Sequence, residues 1–225
     1  MKKGLTEVVF ILDRSGSMSG LEKDTIGGYN SMLKKQLKEN ENGDVIISTI
    51  LFDDRIEVLH DRKNIKEVEN ITENEYYVRG CTALLDAVGS AIHHIGRMHK
   101  EASPDEVPEK TLFIITTDGL ENSSREYTYA KVKKMVEKKK KKRNWEFIFL
   151  GANIDAAKEA GKFGVAPDRA VRYMSDESGT SVCWNAMSNI VSCARKASSS
   201  KCMSEVFDTE SPLEPVMMDY ETRGK

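Results

Sequence analysis

Four short apolar runs, Val8 to Leu12, Val45 to Phe52, Thr111 to Thr117 and Phe147 to Leu150, alternate along the chain with stretches of helical periodicity. Near-continuous hydrophobicity of this length suits strands that are covered on both faces, as in a parallel sheet. The intervening stripes fit helices. Ile26, Tyr29, Leu33 and Leu37 form one, ending near Asn42-Gly43. A second runs from Thr82 to His99, and a third from about Glu126 to Lys142 with Tyr129, Val132, Met135 and Val136 inward. Asn153 to Gly161 reads as a short helix, Ala170 to Tyr173 as a last strand, and Ser181 to Lys196 as a final helix. The segment from Phe52 to Val58 joins two extended runs by a polar turn, the sign of a hairpin with one antiparallel edge strand. Strands alternating with helices indicate a doubly wound α/β sheet with helices on both faces.

With 225 residues, 39% of them hydrophobic, one well-packed domain is the expected scale. We expect it to span residues 1–198. After Ser198 periodicity is lost, and residues 199–225 are expected to form a mobile tail. The net charge of −2 selects neither nucleic acid nor an anionic membrane as a partner. The apolar runs are far too short to span a bilayer, and the start of the chain does not have a signal-peptide core. The four cysteines, Cys81, Cys183, Cys193 and Cys202, show no metal-binding spacing and are expected to be reduced thiols in a cytoplasm.

The first apolar run ends on Asp13-Arg14-Ser15-Gly16-Ser17. Asp13, Ser15 and Ser17 carry hard oxygen donors, which magnesium, manganese and calcium prefer. On their own these residues equally make a turn and a helix cap. Two further segments add weight: Thr82 at the start of a helical stretch, and Asp118 at the end of the Thr111 to Thr117 strand. D-x-S-x-S, then a lone Thr, then a lone Asp, in that order, resembles the von Willebrand factor A domain and its metal-ion-dependent adhesion site. The likeness covers roughly the first 175 residues. Among such domains the chain resembles the bacterial, stand-alone intracellular type, which includes tellurite- and stress-associated members.

That resemblance implies a mostly parallel, six-stranded sheet in the order 3-2-1-4-5-6. It also implies that Ser15, Ser17 and Thr82 coordinate Mg2+ (or Mn2+ or Ca2+) directly, with Asp13 and Asp118 often acting through water. An Asp or Glu from another protein would fill the open position. Asp13 and Asp118 would then flank the point where the winding reverses, where ligands of such sheets bind. Arg14 is read as pointing to solvent, or else as bordering the docking surface. Asp53, Glu121 and Asn122 are candidate rim contacts, or ordinary polar loop residues.

The expected function is a monomeric, metal-dependent protein-interaction module, not an enzyme. Two alternatives stand beside it. A magnesium-dependent phosphohydrolase would use Asp13 as nucleophile, but Ser15 replaces the second acid of the D-x-D pattern. An extracellular adhesion fragment would need a secretion signal. His93, His94 and His99 have poor spacing for a zinc site and read as surface or interface residues. Lys138 to Arg143 reads as a solvated, dipole-complementing helix end, and Gly27-Gly28 lacks phosphate-loop spacing.

Overall fold

The computed structural model describes residues 1–39 and 43–224. Its strands are β1 (Lys2–Asp13), β2 (Val45–Phe52), β3 (Ile56–Asn64), β4 (Pro108–Thr117), β5 (Glu146–Ala152) and β6 (Ala170–Tyr173). They form one sheet in the order β3-β2-β1-β4-β5-β6. Every neighbouring pair is parallel except β2 with β3, the expected hairpin. The helices are α1 (Glu22–Lys38), α2 (Leu84–Glu101), α3 (Tyr129–Arg143), α4 (Ala156–Lys162), α5 (Glu177–Lys196), α6 (Met203–Glu210) and α7 (Glu214–Arg223).

The apolar runs are continuous because both faces of each central strand are buried. Val8, Phe10 and Leu12 of β1 join one core with Tyr29 of α1 and Trp184 and Ile190 of α5. Val9 and Ile11 join the other, with Val88 and Ile95 of α2 and Val132 and Val136 of α3. Successive side chains of a strand point to opposite faces, so a single run supplies both cores.

Helix ends differ from expectation where side-chain caps decide them. The α5 helix begins at Glu177, earlier than expected, because Asp176 Oδ1 accepts the Gly179 amide at 2.7 Å. The α3 helix begins at Tyr129, where Thr128 accepts the Lys131 amide. The α1 helix stops at Lys38; the expected end at Asn42 lies outside the described residues. His99 is not on the surface: it is buried and bonded to Glu7, itself fully buried in β1 and also paired with Arg62 at 2.6 Å.

Residues 199–224 form α6 and α7 rather than the mobile tail read from the sequence. Met203, Phe207, Leu213 and Val216 are buried in the core that includes α5. Two short helices broken at Ser211-Pro212 spread these anchors over two axes, so no single stripe marks them.

Gly28 lets α1 approach α5. A Cβ there would lie 2.2 Å from the buried Trp184 ring. Gly28→Ala is therefore expected to destabilise the protein by about 1–3 kcal/mol, the usual cost of overpacking, in urea unfolding. Gly27→Ala, which meets nothing within 4 Å, should cost nothing and supplies the control.

Candidate metal centre

The strands β1 and β4 are neighbours, and the winding of the sheet reverses between them. Asp13 is the last residue of β1, and Asp118 directly follows β4. Beyond Asp13 the chain curls into a single tight turn, Gly16–Met18, and the Gly16 amide donates to the Gly80 carbonyl at 3.2 Å. This contact joins the Asp13–Ser17 loop to the loop carrying Thr82.

Four of the five predicted oxygens form a chain of contacts. Thr82 Oγ1 donates to Ser15 Oγ at 3.1 Å, Ser15 Oγ lies 3.1 Å from Ser17 Oγ, and Ser17 Oγ donates to Asp118 Oδ1. Asp13 stands behind them. Its Oδ1 accepts the Ser15 amide at 2.7 Å, and its Oδ2 accepts the Thr117 hydroxyl at 2.6 Å. Tyr76 fixes the strand end by donating to the Asp13 carbonyl at 2.5 Å. Thr117 and Tyr76 were not predicted. Thr117 carried a signal, as the hydroxyl before Asp118 at a strand end; nothing in the sequence marks Tyr76.

Burial pushes the Asp13 carboxyl up to about 6, against hydrogen bonds from Thr117 and Ser15, and the nearby Asp118 charge adds to the rise. Burial also raises Asp118, against the bond from Ser17. Asp118 Oδ2 is buried without a hydrogen-bond partner among the described residues. A Cβ on Gly119 would sit 3.2 Å from both Ser17 Oγ and Thr82 Oγ1. Glycine thus keeps the space over the hydroxyls clear. Two poorly solvated carboxylates, one orphaned oxygen and three hydroxyls around a cleared space fit a hard cation. No group of three or more His, Cys, Asp or Glu that could hold a metal occurs among the described residues, and all four cysteines are free.

The four predicted rim residues all have partners within the fold. Arg14 does not reach solvent. Its side chain is fully buried. Its Nε donates to Asp53 Oδ2 at 2.8 Å, its Nη2 lies 2.8 Å from Glu57, and its guanidinium lies 5.2 Å from the Tyr77 ring. Asp53 is equally buried and also takes Arg79 Nε at 2.7 Å. Burial pushes Asp53 up, but hydrogen bonds from Arg79, the Arg55 amide, Asp54 and Arg14 outweigh it and hold the carboxyl below its usual range. Arg14 and Asp53 are therefore a buried brace for the loop, not contacts for a partner. Arg14→Met should cost about 3 kcal/mol in urea unfolding, because buried Asp53 loses a charge partner.

Glu121, half-buried, and Asn122, exposed, hold the Thr82 loop. Asn122 Oδ1 accepts the Thr82 amide at 2.9 Å, and the Asn122 amide donates to the Thr82 carbonyl at 3.1 Å. Glu121 accepts the Leu85 amide at 2.8 Å and thereby caps α2, which Thr82 precedes by two residues.

No protein-family model and no curated protein matches the sequence. By structure the chain is similar to proximal thread matrix protein 1 from the mussel byssus with a zinc-occupied MIDAS motif, at TM-score 0.58 and 16% identity, over 84% of this chain and 46% of that one. It is similar also to the PilB minor pilin from Streptococcus sanguinis, at TM-score 0.58 and 11% identity, over 85% of this chain and 62% of that one. The match thus spans under two thirds of each of these structures. At such identities the likeness speaks of the fold alone. With its strand order and its single antiparallel edge, this chain has the fold of a von Willebrand factor A domain.

Proposed function

We propose that Ser15, Ser17, Thr82, Asp13 and Asp118 hold one magnesium ion, and that the ion recruits an Asp or Glu side chain of a partner protein. The observation that carries this reading is the buried, unpartnered Oδ2 of Asp118 beside a second carboxylate raised by burial. Leaving such charge unpaired is costly, and a divalent cation removes the cost. The zinc in the MIDAS motif of the byssus protein supports a divalent ion. Magnesium is favoured here because every donor is oxygen and three are neutral hydroxyls. Manganese or calcium could take its place. When bound, the ion supplies a Lewis-acidic open position for an anionic oxygen.

Asp13 and Thr117 would orient the loop, and Asn122 would present Thr82. The protein would act as a monomeric cytoplasmic adaptor of the bacterial intracellular type, without turnover of its own. No helix among the described residues is long and apolar enough to cross a membrane.

Affinity capture with immobilised protein tests the reading. Partners should be retained in magnesium, released by EDTA, and missed by Asp118→Ala. Retention that survives both treatments would overturn it. Magnesium-dependent phosphoester hydrolysis lost in Asp13→Asn would favour the hydrolase alternative.

A further inference from the structure

The metal site leaves one conspicuous feature of the sequence unused. The α3 helix carries nine cations, Lys131, Lys133, Lys134, Lys138 to Lys142 and Arg143, against the single acid Glu137. A net +8 on one helix, within a whole-chain charge of −2, leaves −10 on the remainder. Seven of the nine are exposed; Lys139 and Lys140 are half-buried.

The fold does not neutralise this charge. Among the described residues none of the nine lies within 4.0 Å of a carboxylate, whereas arginines elsewhere are paired, as Arg14, Arg62, Arg79, Arg169 and Arg223 are. The groups that do face the helix are a carbonyl and two rings. Lys131 donates to the Glu126 carbonyl at 3.2 Å and lies over Tyr127, and Lys139 lies over Trp145. Burial, Arg143 and Lys138 together push Lys139 below its usual range. Glu146 feels Lys140 only at longer range.

The helix dipole explains the basic last turn and nothing more. Lys131 in the first turn, where the helix has no acid, opposes the dipole. Lys134, Lys138 and Lys142 are successive i, i+4 neighbours, and like charges at that spacing are destabilising. Such a helix is locally frustrated in the free protein, which is a mark of function.

We infer that α3 is a second interaction surface, and that its partner is a short acidic segment of another protein in helical form. Lys131, Lys134, Lys138, Lys141 and Lys142 lie along one side of the helix over about 16 Å of its axis. Glu or Asp at i, i+3 and i+4 of a facing helix repeats at the same interval. The remaining −10 of the chain argues against a long polyanion or a membrane plane, which would pass over acidic surface beyond the helix. Eight of the nine cations are lysines, without the arginine fork that favours bidentate phosphate contacts. The one aromatic residue of the helix, Tyr129, is engaged by Glu159 and offers no stacking platform for bases. The chain enters α3 from the loop after β4, at the Asp118 end, and leaves it into the start of β5. The dense run Lys138 to Arg143 therefore lies at the opposite end of the sheet, where it can be occupied together with the metal site.

The test uses the full chain and a fluorescent, Glu-rich helical peptide of about 15 residues, the length of α3. A short DNA duplex and phosphatidylserine vesicles are the competing probes. With EDTA present throughout, wild type should bind the peptide saturably and more weakly as salt rises. The triple variant Lys134→Glu, Lys138→Glu, Lys141→Glu should lose at least about tenfold in affinity. Its melting temperature should stay within a few degrees of wild type, since all three positions are exposed. Absence of saturable binding, equal binding by the triple variant, or tighter binding of the duplex or vesicles would overturn the inference. Because binding is measured in EDTA, where the five oxygens can recruit no carboxylate through a metal, none of these outcomes depends on whether they hold magnesium.

Discussion

Asp13→Asn is expected to stabilise the metal-free protein at pH 7 and to abolish its response to magnesium. The Asp13 carboxyl is raised to about 6 in the folded state from the ordinary 3.8. The folded protein therefore holds this proton more tightly than the unfolded chain does. With an acid raised in this way, metal-free stability falls as pH rises from about 4 to about 6, and stays at the lower level above. The full difference is about 3 kcal/mol, from 1.36 kcal/mol per pH unit. Asparagine removes the ionisation and keeps one acceptor for the Ser15 amide. It serves the Thr117 hydroxyl less well, so a net gain of about 1–2 kcal/mol is the expected reading. Urea unfolding at pH 7 and near pH 4 checks this. The variant should exceed wild type at pH 7, and the gap should close near pH 4. Magnesium should raise wild type alone. Equal destabilisation of the variant at both pH values would mean that Asp13 is retained for its hydrogen bonds and not for a cation.

Truncation after Ser200 should be the most damaging change to the fold. It removes α6 and α7, and with them the buried Met203, Phe207, Leu213 and Val216. Each such side chain is worth about 1.5–3 kcal/mol of burial, so the loss is on the order of the whole stability of a domain. The ion pairs of Arg169 with Asp208 at 2.6 Å and of Arg223 with Asp176 at 2.7 Å go as well, the first leaving a largely buried guanidinium short of a partner. We expect the shortened chain to lose its cooperative thermal transition or to melt more than about 10 °C lower. A transition within a few degrees of full length would show that the domain ends before α6. Phe207→Ala in the full chain provides the graded version, with an expected cost of about 3–5 kcal/mol.

The central strands and the loop that ends the first of them were legible because both rest on short-range patterns, whereas the strand order followed only from the resemblance to the von Willebrand factor A domain. Continuous apolar runs marked the central strands, and Asp13, Ser15 and Ser17 revealed themselves by standing at the end of one. Thr82 and Asp118 became informative only in company with that loop. What stayed hidden depended on residues without periodicity. Whether the side of the loop that Arg14 faces is water or protein is decided by the Asp53 turn and by Glu75 to Arg79, an irregular stretch. Glu121 and Asn122 have the composition of an exposed loop, yet their acceptors are spent on the amides of Thr82 and Leu85. The C-terminal helices escaped notice for a related reason: their four anchors are divided between two short segments, neither long enough to show a stripe.

The central claim is that five oxygens at the switch point form one divalent-cation site, and a titration of the purified protein with Mn2+ followed by electron paramagnetic resonance tests it most directly. The free-ion signal should be depressed by one equivalent of bound metal in wild type and restored by competing magnesium. Asp118→Ala, with an unchanged circular dichroism spectrum, should show no bound metal. A wild-type titration with no saturable depletion up to millimolar Mn2+, or undiminished binding by Asp118→Ala, would contradict the account.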